Sequence, residues 1–376
     1  MVRWRLPWHR SIGPIGLDLG AETPRAMQVR AGGDAPVAAC AIRCAPTDGL
    51  VARAASAARE LHRAGFVGRE VVVGLSPADA PMLVARMPVL EGDDAREAVA
   101  WEAAERTAIP REQLVADSVA TGAPSNAQQD GREERLVVAA PLAPLDEALS
   151  VLLEAGLEPI AVEPRFASVA RALARRARRD ADVAQVRAVL HVDRAGSTVM
   201  VLRGDRIAFC REISIGGATL DDAVAARLGV STEQAATLRM RRMAAIRGVA
   251  PAVDSVADDA ALGATRATLD ALAGELALCL RYFGVTFRGG QPSRVILSGT
   301  DAAEPRLAGI LEEACRTSVV SFESELPSAF ASSALDAFHS DDGLAPWTGA
   351  FGLACRSRLL KEARTPLATN AGERAA

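Results

Sequence analysis

Apolar positions in this chain fall into short runs broken by glycine, aspartate and proline. IGLDL (15–19), RAMQV (25–29) and PVAACAIRC (36–44) predict three strands joined by turns, because each run is strand-length and each break carries turn chemistry. A helical period follows over Asp48 to Ala64, with Leu50, Ala54, Ala57, Ala58 and Leu61 on one face, and VVVGL (71–75) then predicts a buried strand. The same order returns half a chain later. AVLHVDRAG, STVMVLRG and DRIAFCREISIGG predict three strands from residue 188, and a helix follows over Ala218 to Leu228. Asp18 and Asp193 stand at equivalent strand ends, so the pattern is that of a duplicated domain rather than a solenoid.

Between the halves the pattern changes. MLVARMP, DDAREAVAWEAAERTA, QLVADSVAT, ERLVVAA, PLDEALSVLLEAG and EPIAVE predict the order βαββαβ, expected to close into its own small sheet. The expected division is therefore one lobe from 14–87, 161–187 and about 331–356, an inserted subdomain at 88–160, and a second lobe at 188–330. In the second lobe a long helix is predicted at roughly Leu262 to Phe283, a strand at RVILSGT, and a helix over Pro305 to Cys315. Residues 1–13 and 357–376 lack periodicity and are expected to be flexible.

Composition narrows the function classes. A chain of 376 residues with 49% hydrophobic residues fills sizeable cores, and a net charge of -4 with pI near 5.8 gives no basic field for nucleic acid. The arginines of Arg171 to Arg179 lack interleaved stacking aromatics and predict a solvated helix face. Six scattered cysteines without paired short spacings predict reduced thiols and a cytoplasmic setting. No apolar run approaches the roughly 20 residues of a membrane span. The opening MVRWRLPWHRS suits either a frayed end or a membrane surface, and the tail is broken by Pro366, which disfavours an amphipathic anchor.

The candidate chemistry lies at the turns. Paired strand-end carboxylates Asp18 and Asp193 suit a magnesium ion held through water, and glycine turns let backbone amides approach phosphate. The first turn offers Gly20, Thr23 and Arg25, and the second Gly196, Ser197 and Thr198. Gly216 and Gly217 precede a helix whose amides suit an anion. VILSGTD places Ser298 and Gly299 where a flat base or ribose can come close. Each feature alone also fits an ordinary turn or helix cap.

Taken in order, these segments resemble the actin-like ATPase superfamily, and within it the PilM family of type IV pilus assembly. AVAWEAAERTAIPREQLVADS, AVEPRFASVARAL, ISIGGATLDDAVA, TEQAATLR, ELALCLRYF and GAFGLACR carry the resemblance, over about residues 14–356. It implies an α/β, duplicated, ribonuclease H-like fold of two lobes with ATP between them. It also implies a cytoplasmic scaffold beneath the inner membrane that grips the N-terminal peptide of a PilN-like membrane protein and meets pilus or secretion motor components. Arg239 keeps a cation near the base, and an enzyme would use Glu163, in the segment joining the halves, to orient a nucleophile, although a glutamate before Pro164 also suits a helix start. The sequence departs from the family at Pro24-Arg25, Ala195, Ala235-Ala236 and Gly299-Thr300. Those changes remove a donor, a flexible point and a carboxylate, so slow or absent hydrolysis is expected. A scaffold of a related secretion system and an active ATPase remain the alternatives. The edge strands of the insertion can accept a partner peptide, and the groove between residues 71–90 and the insertion is its expected site, with Trp101 assigned equally to that groove or to the insertion's core.

Overall fold

The computed structural model describes residues 12–20, 23–30, 36–45, 49–121, 131–174, 185–248, 256–287, 290–326 and 343–356. Residues 1–11 and 357–376, and most of the Arg171 to Arg179 run, lie outside the described residues.

The chain forms a two-lobed α/β structure. In the first lobe, β1 (Ile12–Asp18), β2 (Arg25–Arg30) and β3 (Pro36–Ala41) form an antiparallel meander. β4 (Glu70–Leu75) and β8 (Glu158–Pro164) extend it in parallel, in the order β3-β2-β1-β4-β8. The second lobe repeats this order with β9 (Val186–Val192), β10 (Ser197–Arg203), β11 (Arg206–Ile213), β12 (Val295–Ser298) and β13 (Val319–Ser321), as β11-β10-β9-β12-β13. The central strands are buried on both faces, so they read as unbroken apolar runs. Helix α1 (Leu50–Leu61) buries the predicted face, together with Arg53, whose charge is met by Asp79 at 2.6 Å.

The inserted unit differs from the expectation. Its order is βαββαβ, but only β5 (Met82–Pro88), α2 (Gly92–Thr107), β6 (Leu114–Ala120) and β7 (Arg132–Pro141) make a separate body, a sheet in the order β5-β7-β6. Helix α3 (Leu142–Glu154) packs with α1, and β8 pairs with β4, so both belong to the first lobe. The apolar face of α3, Leu145, Ala148 and Leu152, is covered by α1 residues rather than by the small sheet. The insertion thus spans about 82–141 and not 88–160.

Helix α4 (Arg165–Ala174) follows β8 directly and runs between the lobes. With α9 (Thr348–Ala354) it supplies Phe166, Val169, Leu173 and Phe351 to a core that also takes Met27 from one lobe and Val189 and Met200 from the other. This shared core places the start of α4 at the floor of the cleft. The second lobe is covered by α5 (Gly217–Leu228), α6 (Thr232–Ile246), α7 (Val256–Thr286) and α8 (Leu307–Cys315).

Candidate functional site

A cleft of about 730 Å³ opens between the lobes. Asp18, Gly20, Thr23, Arg25, Asp193, Gly196, Ser197 and Thr198, all singled out in the sequence, line it. The two strand-end carboxylates converge there because β1 and β9 are equivalent central strands whose carboxyl ends face one another.

A guanidinium lies between the two carboxylates. Arg165, the first residue of α4, donates from Nε and Nη2 to Asp18 at 3.0–3.1 Å and from Nη1 to Asp193. Gly20 makes room for this group: a Cβ there would overlap Arg165 Nη2, while the Gly20 amide donates to Asp18 Oδ1 at 3.1 Å. Asp193 is further held by His191 Nε2 at 3.2 Å and by the Thr300 amide at 3.3 Å. Burial opposes its charge, but His191, Arg165 and the Thr300 amide overcome this and hold its carboxyl well below the usual carboxylate range. Burial likewise opposes the charge on Arg165, and Asp18 and Asp193 offset it, so the guanidinium is held above its ordinary pKa.

This arrangement does not fit magnesium. The carboxylates assigned to the metal already share one cation, and among the described residues no group of three or more His, Cys, Asp or Glu side chains is placed to hold an ion.

The glycine pair also has another role. The Gly217 amide donates to the Asp193 carbonyl at 3.0 Å and the Ala218 amide to the Arg194 carbonyl at 2.8 Å, so the opening turn of α5 closes onto the second hairpin. A side chain at Gly216 would overlap that hairpin's backbone, so glycine is needed there for close packing. Thr219 completes the cap by bonding the Gly216 amide and carbonyl. These amides are aimed at carbonyl oxygens, not at an open anion site.

Arg239 is not a free cation. Its Nε donates to Glu304 at 3.0 Å, Nη1 to the Gly217 carbonyl and Asp221, and Nη2 to Asp301 and Glu304, at 2.6–2.9 Å. All five guanidinium donors are used. Ser298 and Gly299 do not line the cleft. Ser298 is fully buried and its hydroxyl meets His191 Nδ1 at 2.8 Å, while Gly299, at φ +97°, packs against the Val192 backbone. Glu163 lies on β8 outside the cleft wall, buried and ion-paired with Arg171 at 2.7 Å and with Arg356.

Sequence reasoning missed Arg165. A signal was present: the residue opens a helix with no acidic side chain in its first turn, where positive charge opposes the helix dipole, so it requires carboxylates from elsewhere in the fold. His191 and Thr300 are legible only from the fold.

On the insertion, Val84, Leu136 and Val119 form one cross-strand row. Leu136 is buried against the lobes, whereas Val84 and Val119, on the outer strands β5 and β6, are each 43% exposed. Trp101 does not pack the insertion's core. It is 60% exposed on α2, with the Arg111 guanidinium 5.3 Å over its ring.

A family profile described as type IV pilus assembly protein PilM matches residues 50–250. The fold is similar to a PilM-PilN type IV pilus biogenesis complex at 22% identity and TM-score 0.71, covering 92% of this chain and 98% of that one. It is also similar to ethanolamine utilization protein EutJ from Carboxydothermus hydrogenoformans at 12% identity and TM-score 0.52, covering 94% and 92% of the two chains. No curated protein sequence matches the chain. Among the described residues no helix is long and apolar enough to cross a membrane.

Proposed function

From the premise that this chain belongs to the PilM family of type IV pilus assembly proteins, we propose that it is a cytoplasmic scaffold, peripheral to the inner membrane. It captures the N-terminal cytoplasmic peptide of a PilN-like membrane protein and links it to motor components. The observation that carries the capture site is the inserted sheet. Its outer strands flank the buried Leu136 with half-exposed Val84 and Val119, which offers a peptide both main-chain partners and apolar side-chain seats. The test is capture from detergent-solubilised membranes. The wild type should retain one inner-membrane protein, and truncating that protein's N-terminal cytoplasmic segment should abolish retention. Val84→Asp combined with Val119→Asp should do the same while the scaffold stays folded. Retention unchanged by either alteration would overturn the assignment.

ATP is the cleft ligand we assign on this reading, bound without productive turnover. The cleft volume lies in the range of small-molecule sites, and Thr23, Ser76, Thr198 and Ser214 offer hydroxyls along its wall. The α5 amides and Arg239 are already engaged, and Glu163 is outside the wall, so none of these groups is free to tighten on a transition state. ATP should raise the melting midpoint, since a ligand bound only by the native state stabilises it by about 2.7 kcal/mol at a hundredfold excess over its Kd. Phosphate release should stay at the level of a protein-free control. Rapid release would reinstate the enzyme alternative.

A further inference from the structure

We propose that Arg165 is the resident cation of the cleft: its guanidinium stands where paired strand-end carboxylates would otherwise need a metal ion, and it draws the two lobes together without one. The inference does not depend on ATP being the ligand. Three independent features carry it. The guanidinium contacts a carboxylate from each lobe, Asp18 on β1 and Asp193 at the end of β9. Gly20, at the first turn, leaves the space that the guanidinium occupies, and its amide donates to the same Asp18 carboxylate. Arg165 also starts a helix buried between the lobes, which fixes its backbone relative to both sheets.

The chemistry follows from geometry. Two carboxylates meeting at one point repel unless a cation lies between them. A divalent ion would do this with directional oxygen ligands and waters, and would be removable by a chelator. A guanidinium does it with a planar fork that satisfies Asp18 through Nε and Nη2 and reaches Asp193 through Nη1, and it stays charged at any physiological pH. Lobe closure is therefore supplied by a side chain of the chain itself and is indifferent to metal. The magnesium expected from the sequence has been replaced by a side chain from the same chain.

The experiment uses the full chain without nucleotide. Melting midpoints are measured in magnesium chloride, in sodium chloride of equal ionic strength, and in EDTA, alongside radii of gyration from solution scattering. The wild type should show the same midpoint and radius in all three. Arg165→Gln, which leaves two facing carboxylates, should melt several degrees lower in EDTA, have a larger radius, and regain part of both losses in magnesium. Arg165→Lys, which keeps the charge but not the fork, should retain most of the wild-type radius and stay insensitive to magnesium. A wild-type midpoint that falls in EDTA, rises in magnesium, and loses that response in Asp193→Asn would overturn the proposal. So would an Arg165→Gln protein as compact as the wild type and unmoved by magnesium, since a purely packing role predicts that result. If Arg165→Gln does not fold, the wild-type response and Arg165→Lys decide the question alone.

Discussion

Arg165 and Arg239 are both buried guanidinium groups surrounded by carboxylates, yet they do different things. Arg239 binds Asp221, Asp301 and Glu304, all from the second lobe, with Gly217 as a fourth partner. It joins α5, α6 and the segment after β12 into one unit. Arg165 binds one carboxylate from each lobe, although both guanidinium groups line the cleft. The same chemistry is thus a keystone within a lobe in one place and a clasp between lobes in the other, and the partners' positions in the fold decide which.

The comparison predicts its largest effect at Arg239. Arg239→Ala leaves Asp301 and Glu304 without their guanidinium partner, with Arg194 still on Asp221 and Arg242 acting on Glu304 as the remaining positive charge, and breaking a buried ion cluster of this kind costs about 3–5 kcal/mol. Urea unfolding should show that loss, with the second lobe melting first. Arg165→Gln should cost less, about 2 kcal/mol, because Asp18 and Asp193 are 11% and 20% exposed, against 0–8% for the carboxylates around Arg239, and can rehydrate on opening. Equal losses would break the distinction between keystone and clasp.

These two residues also mark the limit of what the sequence reveals. The duplicated strand order, the convergence of Asp18 with Asp193 and the inserted segment follow from local periodicity, and the structure has them. Arg239 reads as a charge in the sequence, but its neighbours Asp221, Asp301 and Glu304 lie far from it along the chain, so its saturation is visible only in the fold. Gly216 and Gly217 have the composition of an anion site, and only the approach of the second hairpin shows that carbonyls fill it. The border of the insertion failed for a similar reason. Nothing in PLDEALSVLLEAG distinguishes a helix covering the small sheet from one covering α1, since both leave the same apolar stripe.

Acid should separate the two clusters by sign. Asp193 has a folded pKa below its unfolded one, so its contribution is fully present above the unfolded carboxylate value, roughly 3.9, and is lost as pH falls through the folded value. Glu304 is shifted the other way, since burial raises its pKa and Arg239 only partly opposes this. Its contribution is fully present below about 4.3 and is lost as pH rises through the raised value. Stability measured against pH should therefore lose its steep acid limb in Asp193→Asn and its gentler limb above pH 4.3 in Glu304→Gln. Identical profiles for the two variants would show that the clusters titrate as one.

Glu163 provides the smallest effect and the sharpest control. It is a carboxylate between two arginines, the inverse of the other clusters, and its side chain is only 6% exposed. Its partners differ from those of Arg165 and Arg239: Arg171 and Arg356 are 30% and 24% exposed, so each can turn to water when the charge is removed. Glu163→Gln keeps the shape and one acceptor, and the arginines left behind are partly exposed, with Arg171 also held by the Gly352 carbonyl, which brings the expected loss down to about 1 kcal/mol. The substitution should leave the midpoint shift produced by ATP unchanged, because Glu163 does not reach the cleft wall. If Glu163→Gln instead lowered a measurable rate of phosphate release while leaving stability untouched, the side chain would have to reach the cleft in another conformation, and the contrast between structural and cleft-facing charge clusters would fail at its simplest member.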